Sequence, residues 1–354
     1  MHTLHNGDAL EWMKSLPAAS VDCVFVDLPY FGVVADDWDN QWKDKNEYLD
    51  WVVSLAHEWK RITKSNSSIF VFCDEKMEAY IQVRLDEMFL LINKIVWYRK
   101  TSTIQKNMAN FRCFAPATER ALFYATSSDE LRVFPFETLK NYFVSVMEKS
   151  GHTMSSIDKE WQSKRKSKGQ MAGHWFGNTQ WQFPTESHFE FLVSCGLQFD
   201  KTYIDLLAEY EALRRPFNAD NKTWDVLEYP ANDTKDTGLN KDDHPTIKPL
   251  KLYRRILSVI TNEGQTVLDC CMGSGTAGVA ALELGRHFLG CELKANYFAI
   301  AEKRIKKAAQ SPSFYTLPNN RLHMDAGDSP RLPSQSTLEG FTPAEADSTP
   351  APRQ

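Results

Sequence analysis

Cysteine is scarce and unpaired in this 354-residue chain: Cys23, Cys73, Cys113, Cys195, Cys270, Cys271 and Cys291 form an odd set with no C-x-x-C pair. A disulfide framework and a zinc site are therefore not expected, and we assign no metal. No apolar run approaches the ~20 residues that a membrane helix needs. The opening residues MHTLHNGDALEWM lack the basic-then-apolar layout of a signal peptide. Neither a membrane span nor export is expected, and a reducing, cytoplasmic setting is the default.

A marked excess of positive charge is missing too. The 41 Lys and Arg stand against 46 Asp and Glu, a net charge of −5, which at first argues against a polyanionic partner. The distribution matters more than the total. Residues 325–354 hold five acids and two arginines, whereas Ser150–Trp181 hold five basic residues (Lys159, Lys164, Arg165, Lys166, Lys168) against Asp158 and Glu160. A local net charge of +3 is compatible with nucleic acid and equally with a solvated face.

Length at ~150 residues per domain suggests about two domains. The first part alternates strand and helix: Asp22–Val26, then Asn46–Ile62 at helical spacing, Ser68–Cys73, a helix Glu75–Met88, and strand-like Leu91–Tyr98 and Arg120–Ala125. Such alternation predicts a parallel sheet covered on both faces. Residues 129–243 break the rhythm and read as an insert. From His244 the alternation resumes, with a helix Pro249–Ile260, a strand Thr266–Asp269, a helix Thr276–Leu284, a strand His287–Cys291 and a helix to about Ala309. Residues 1–128 and 244–310 should therefore fold into one domain. Pro, Ser and Thr dominate 311–354, which reads as a disordered tail.

Two turns stand where chemistry could sit. Val267-Leu268-Asp269-Cys270-Cys271-Met272-Gly273-Ser274-Gly275-Thr276 runs from a strand through glycines into a helix, and glycine lets backbone approach a ligand closely. Glu292 ends the next strand, placed to bond ribose hydroxyls. We read the third glycine, Gly278, as off the G-x-G-x-x-G spacing of dinucleotide loops, and no Lys-Ser/Thr follows as in a P-loop, so the turn is expected to serve a nucleoside cofactor without a pyrophosphate. A tight turn in any doubly wound protein would look similar. The second turn, Asp27-Leu28-Pro29-Tyr30, follows a buried strand, where open α/β sheets place ligands. Its carboxylate and the Leu28 carbonyl could hold an NH₂ group, and the Tyr30 ring could stack on a base. Pro29 stiffens the turn. The same four residues also describe an ordinary end of a strand.

Taken together, the turns resemble a known family. Asp27–Tyr30 is similar to the D-P-P-Y signature of S-adenosylmethionine-dependent DNA amino-methyltransferases, and LDCCMGSGTAGVAALELGRHFLGCE resembles their F-x-G-x-G cofactor motif. His244-Pro245-Thr246-Ile247-Lys248-Pro249-Leu250 resembles the H-P-T-x-K-P-L segment beside the methionine end of the cofactor. Asn6-Gly7-Asp8-Ala9-Leu10 is similar to the segment whose acid contacts the cofactor adenine. The order, with the catalytic turn first, the insert next and the cofactor motif last, resembles the β group of these enzymes. Leu28 departs from the usual proline, and Cys270-Cys271 from the usual Pro-Phe; neither removes a charged role.

The resemblance implies a Rossmann-like α/β fold with a doubly wound, mostly parallel sheet and an inserted, mainly helical target-recognition domain. It implies an adenine-specific enzyme, because an acid at the first position of the signature goes with N6 of adenine. Methyl transfer from S-adenosylmethionine to a flipped base in double-stranded DNA, in a prokaryotic host or a phage-infected cell, follows from it. Asp27, Leu28, Pro29 and Tyr30 are the implied catalytic residues. The implied cofactor set is Asp8, Ala9, Asp27, His244, Thr246, Lys248, Pro249, Asp269, Cys271, Met272, Gly273, Ser274, Gly275, Thr276, Glu292 and Leu293. A homodimer is compatible with this reading. The alternatives are an N4-cytosine methyltransferase, an enzyme acting on RNA or a protein amide, and a DNA-binding protein that has lost turnover.

Target reading should fall to the insert. Ser155–Lys166, Gly169–Trp181 and Pro184–Cys195 predict three short helices, and residues 155–195 loosely resemble a helix-turn-helix. The expected base-contacting residues are His174, Asn178, Gln180 and Gln182, with Lys164, Arg165, Lys166 and Lys168 on phosphates. Trp175, Phe176 and Trp181 are expected to be core in either case, and Tyr203–Arg215 to be a structural amphipathic helix.

Overall fold

The computed structural model describes residues 1–33, 36–99, 114, 116–126, 137–165, 169–178, 181–231, 238–239 and 247–310. Eight strands make one sheet in the order β1-β8-β7-β2-β3-β5-β4-β6. They are β1 (His2–Asn6), β2 (Val21–Asp27), β3 (Thr63–Cys73), β4 (Leu90–Tyr98), β5 (Thr118–Ala125), β6 (Val226–Glu228), β7 (Thr266–Asp269) and β8 (His287–Glu292). β5 is antiparallel to both its neighbours and every other pairing is parallel.

The central strands are apolar because both their faces are covered. Val24 and Val26 of β2 pack on one side with Ile69, Val71 and Leu268, under α1 (Ala9–Lys14), α2 (Lys45–Ile62) and α3 (Glu78–Leu85). Cys23 and Phe25 point to the other side, with Phe70, Phe72, Val267 and Phe288. That face is covered by α9 (Leu250–Ile260), α10 (Thr276–Glu283) and α11 (Ala295–Gln310). The close fit of α10 and α11 to the sheet explains Gly278, where an added Cβ would stand 2.7 Å from the Phe288 ring and 2.6 Å from Ile305.

A third apolar cluster lies within the expected insert. It joins α4 (Glu137–Lys149), α5 (Met154–Arg165), α6 (Ala172–Phe176), α7 (Glu186–Ser194) and α8 (Tyr203–Leu213). Trp175, Phe176 and Trp181 are buried in it, as core residues. Residues 217–231, also inside the range expected for the insert, instead belong to the sheet. β6 pairs with β4, and Phe217, Leu227, Tyr229 and Ala231 pack on the second core.

Two details differ from the sequence-based expectation. β1 was not foreseen, because HTLHN is a short, half-exposed edge strand with no apolar run. The insert helices are present, but α6 spans five residues and nine more separate it from α7. A helix-turn-helix joins its helices through a turn of about 3–4 residues, so α6 and α7 do not form one. The buried aromatics explain the difference, since Trp175, Phe176 and Trp181 turn the connection inward onto the cluster.

Candidate active site

The chain leaves β7 for β8 on one side and leaves β2 for β3 on the other, so the point between β7 and β2 is a topological switch. Helical connections diverge there and leave a crevice at the carboxyl ends of the strands. Asp27 ends β2 and Asp269 ends β7, on hydrogen-bonded neighbours (Cys23 opposite Val267, Val24 opposite Leu268). The two turns, some 240 residues apart in the chain, therefore meet.

They line one open cleft. Its walls include Asp8, Ala9, the whole Asp27–Tyr30 turn, Lys248, Asp269, Cys271–Ser274, Thr276, Glu292 and Leu293. Gly275 and Pro249 do not line it. Gly275 instead starts α10 with a left-handed φ of 77°, where an added Cβ would stand 2.9 Å from the Ala301 side chain. Pro249 caps α9. His244 and Thr246 lie outside the described residues. Trp38, Gln41, Trp51, Tyr253 and Tyr297 also line the cleft outside the expected set; nothing in the local sequence separates the four aromatics from core rings or Gln41 from a surface glutamine.

Glu292 is 9% exposed. Its Oε2 accepts the Gly273 N–H at 2.9 Å and its Oε1 the Lys294 N–H at 2.8 Å. Each oxygen keeps a second lone pair for a ligand hydroxyl. Burial raises its pKa above the ordinary value, against the pull of those N–H groups. Asp269 is buried as well, and that pushes its carboxyl well above the usual range while the Cys271 N–H opposes the shift. Asp8 caps α1 by accepting the Glu11 N–H at 2.9 Å, so this acid has a structural task at the rim of the cleft.

The Asp27–Tyr30 turn is held by a second acid that the sequence did not single out. Asp39 is fully buried. Its Oδ1 accepts the N–H of Tyr30 (2.6 Å) and of Phe31 (3.0 Å), and its Oδ2 that of Val33 (2.7 Å). Phe31 and Gly32 have φ of 60° and 75°, a left-handed bend that costs a non-glycine residue about 1–2 kcal/mol. The Tyr48 hydroxyl donates to the Pro29 carbonyl at 2.8 Å.

Around Asp27 the charges form a cluster. Lys248, 4% exposed, donates to Asp27 Oδ2 at 2.5 Å and to the Tyr30 hydroxyl at 2.6 Å. Its ammonium also lies 3.4 Å from Glu119 of β5. Tyr30 donates to Glu119 Oε2 at 2.8 Å, with Asp27 Oδ1 at 3.3 Å. Burial pushes Asp27 up, while Lys248 pulls it back. Burial works against the Lys248 charge, but Asp27 and Glu119 prevail and raise its pKa, so the cluster holds an ammonium among carboxylates. Lys248, expected on the cofactor, thus touches the Asp27–Tyr30 turn.

Of the residues expected to read DNA, His174 and Gln182 meet, the Gln182 N–H donating to the His174 carbonyl at 2.6 Å. Lys164 donates to the Ser194 carbonyl at 3.2 Å and pairs with Glu160 at 3.6 Å; Arg165 stacks 5.3 Å from the Trp161 ring. His174 is on α6, Asn178 accepts from Lys140 at 2.9 Å, and Gln182 is exposed. Asn178 and Gln182 lie in the α6–α7 connection rather than along a helix. Lys166, Lys168 and Gln180 fall outside the described residues. Among the described residues no His, Cys, Asp and Glu group could hold a metal, and no helix is long and apolar enough to cross a membrane.

A doubly wound sheet with a cleft at its switch point, an acid–Leu-Pro-Tyr turn on one side and a Gly-rich turn on the other, defines a class of transferase. The family model described as DNA methylase matches residues 21–303, and the chain belongs to that family. It is 26% identical over 313 residues to the DNA adenine methyltransferase YhdJ of Escherichia coli (strain K12), covering 87% of this chain and 83% of that one. To the type II methyltransferase M.HindIII of Haemophilus influenzae it is 24% identical, over 85% of this chain and 94% of the relative. The fold is shared with the Thermus thermophilus protein TTHA0409, described as a DNA modification methylase. That likeness has a TM-score of 0.50 at 19% identity and covers 88% of this chain and 97% of the other.

The reading of the Gly-rich turn needs one correction. Gly273, Gly275 and Gly278 do stand at G-x-G-x-x-G spacing, so the glycines alone do not separate a nucleoside from a dinucleotide cofactor. The family membership makes that distinction instead.

Proposed function

We propose that this chain methylates N6 of adenine in duplex DNA, using S-adenosylmethionine, at the cleft between β2 and β7. The observation behind this reading is the shared cleft, which sets the Asp27 carboxylate beside the Gly-rich turn and Glu292. The cleft suits the cofactor: Glu292 offers two oxygens with spare lone pairs for ribose hydroxyls, Gly273 and Ser274 allow close approach, and Leu293 and Tyr297 add apolar wall. Bound there, S-adenosylmethionine supplies an activated methyl group on a sulfonium sulfur that leaves as a neutral thioether.

The protein's own part is alignment. An exocyclic amine is a poor nucleophile, because its lone pair is delocalised into the ring. Asp27 and the Leu28 carbonyl accept its two N–H groups and favour a pyramidal nitrogen with its lone pair aimed at the methyl carbon. The new N–C bond leaves an ammonium beside the Asp27 carboxylate, which stabilises the charge and takes the proton that the nitrogen sheds. Tyr30 is the proposed stacking face for the extruded base, whose unstacking costs a few kcal/mol.

Residues 1–128, 217–231 and 244–310 form the transferase in this reading, and the α4–α8 cluster reads the target. Its contacts are assigned to His174, Asn178, Gln180 and Gln182 on bases and Lys164, Arg165, Lys166 and Lys168 on phosphates. The cytoplasm, where the cell's DNA lies, is the proposed place of action, and sedimentation of the free enzyme tests for a homodimer.

Expression in a host lacking DNA methylation, followed by nucleoside analysis and modification-sensitive sequencing, tests the function. N6-methyladenine at one short sequence is expected; N4-methylcytosine would replace adenine as the substrate, and unmodified DNA would refute the activity. Replacing Glu292 by glutamine should raise the cofactor dissociation constant about 10- to 100-fold, the worth of hydrogen bonds to a charged group. Calorimetry would measure it, and an unchanged constant would remove Glu292 from the ribose. Changing Lys164 and Arg165 to alanine should flatten the salt dependence of DNA binding by about 1–2 units of slope. An unaltered slope would exclude them from phosphate contact.

A further inference from the structure

Glu119 belongs to none of the motifs that define the site, yet it lies among the reacting groups. We infer that Glu119 is a positioning residue that draws the Tyr30 proton to itself and so keeps one oxygen of Asp27 open to the target amine. The inference rests on the methyl-transfer reading above and adds to it the group that keeps Asp27 available.

The reversed direction of β5 is what delivers this acid. Asp27 lies opposite Phe72 of β3, and Phe72 lies opposite Ala121 of β5. Because β5 runs antiparallel, the residues before Ala121 continue toward the carboxyl ends of the parallel strands. Glu119, near the start of β5, therefore arrives at the mouth of the cleft. A parallel strand with the same sequence would carry it to the opposite edge.

The hydroxyl of Tyr30 has one proton to give and two carboxylates within reach among the described residues. Glu119 Oε2 is at 2.8 Å and Asp27 Oδ1 at 3.3 Å. Hydrogen bonds of this kind lie between about 2.5 and 3.0 Å, so the proton points to Glu119. Lys248 approaches the same phenol oxygen at 2.6 Å as a donor, which fixes one of its lone pairs. Lys248 also takes Asp27 Oδ2 at 2.5 Å. Oδ1 is thus the Asp27 oxygen that carries no ammonium and is the more open of the two to an N–H from the base. Without Glu119 the phenol would turn its proton onto that oxygen, and the incoming amine would have to compete with it there.

The test is a double-mutant cycle with Tyr30. Glu119→Gln, in a protein shown to be folded by its melting curve, should lower kcat on duplex DNA at least ~10-fold, as losing a hydrogen bond to a charged acceptor implies. The cofactor Kd and the KM for DNA should stay within about 2-fold, since the residue acts on chemistry and not on binding. Glu119→Asp keeps the charge beside Lys248 but withdraws the acceptor, and should lose activity in the same way. In a Tyr30→Phe background there is no proton to orient, so adding Glu119→Gln should cost little more. Full activity in either folded Glu119 variant, or the same loss with phenylalanine at 30, would overturn the inference. Retained turnover in Asp27→Asn would instead refute the methyl-transfer reading itself, so the two failures are distinguishable.

Discussion

Asp27→Asn is expected to lower methyl transfer by about 10³-fold or more, beyond the ~10²–10³ that a single preorganised hydrogen-bonding group is worth. Asparagine cannot stabilise the ammonium that forms and cannot take its proton. Cofactor affinity should change little, because Glu292 and the Gly-rich turn lie on β8 and after β7, not on β2. Lys248 keeps Glu119 as a counter-ion, so the fold should survive. Activity in the wild type should fall as pH drops through the Asp27 pKa, and burial places that limb above the ordinary carboxylate range. A labelled-methyl assay across pH reads both effects; turnover within 10-fold of wild type would remove Asp27 from the mechanism.

Asp39→Ala is the second large effect expected. It strips an acceptor from the N–H groups of Tyr30, Phe31 and Val33 at once. Each unsatisfied group costs about 1–3 kcal/mol, and partial access of water to this loop keeps the sum near the lower end, about 3–5 kcal/mol. The left-handed Phe31 then has nothing to hold it, and Tyr30 loses its place beside Lys248. Turnover should drop by about 10²-fold, as small displacements of reacting groups do, with cofactor binding preserved. Denaturant unfolding and steady-state rates together check this. Asp39→Asn, which keeps an acceptor oxygen, should lose less on both counts.

How legible these features were depends on where their causes lie. β2, β3, β7 and β8 could be read because strands buried on both faces leave continuous apolar runs. Both turns could be read because glycine, proline and strand-ending acids leave local marks. The direction of β5 left none: an antiparallel strand in a sheet covered on both faces has the composition of a parallel one. Glu119 gained its meaning from Tyr30, 89 positions away, and Lys248 from Asp27, 221 positions away. Asp39 sat in the polar run DDWDN, where its neighbours Asp36 and Asp37 look the same; only the folded loop separates the buried acid from the half-buried Asp36 and the exposed Asp37. In the insert, aromatic content announced a core but not the way its links turn inward.

The separateness of the third apolar cluster bears on how such a chain can change over time. Its residues, Leu139 to Leu206, belong to neither of the two cores that clamp the sheet. Substitutions far apart and without shared neighbours act nearly independently. With target reading assigned to that module, as proposed above, drift there would explore new targets while the strands that fix the cleft stay as they are, so a change of address need not endanger the chemistry.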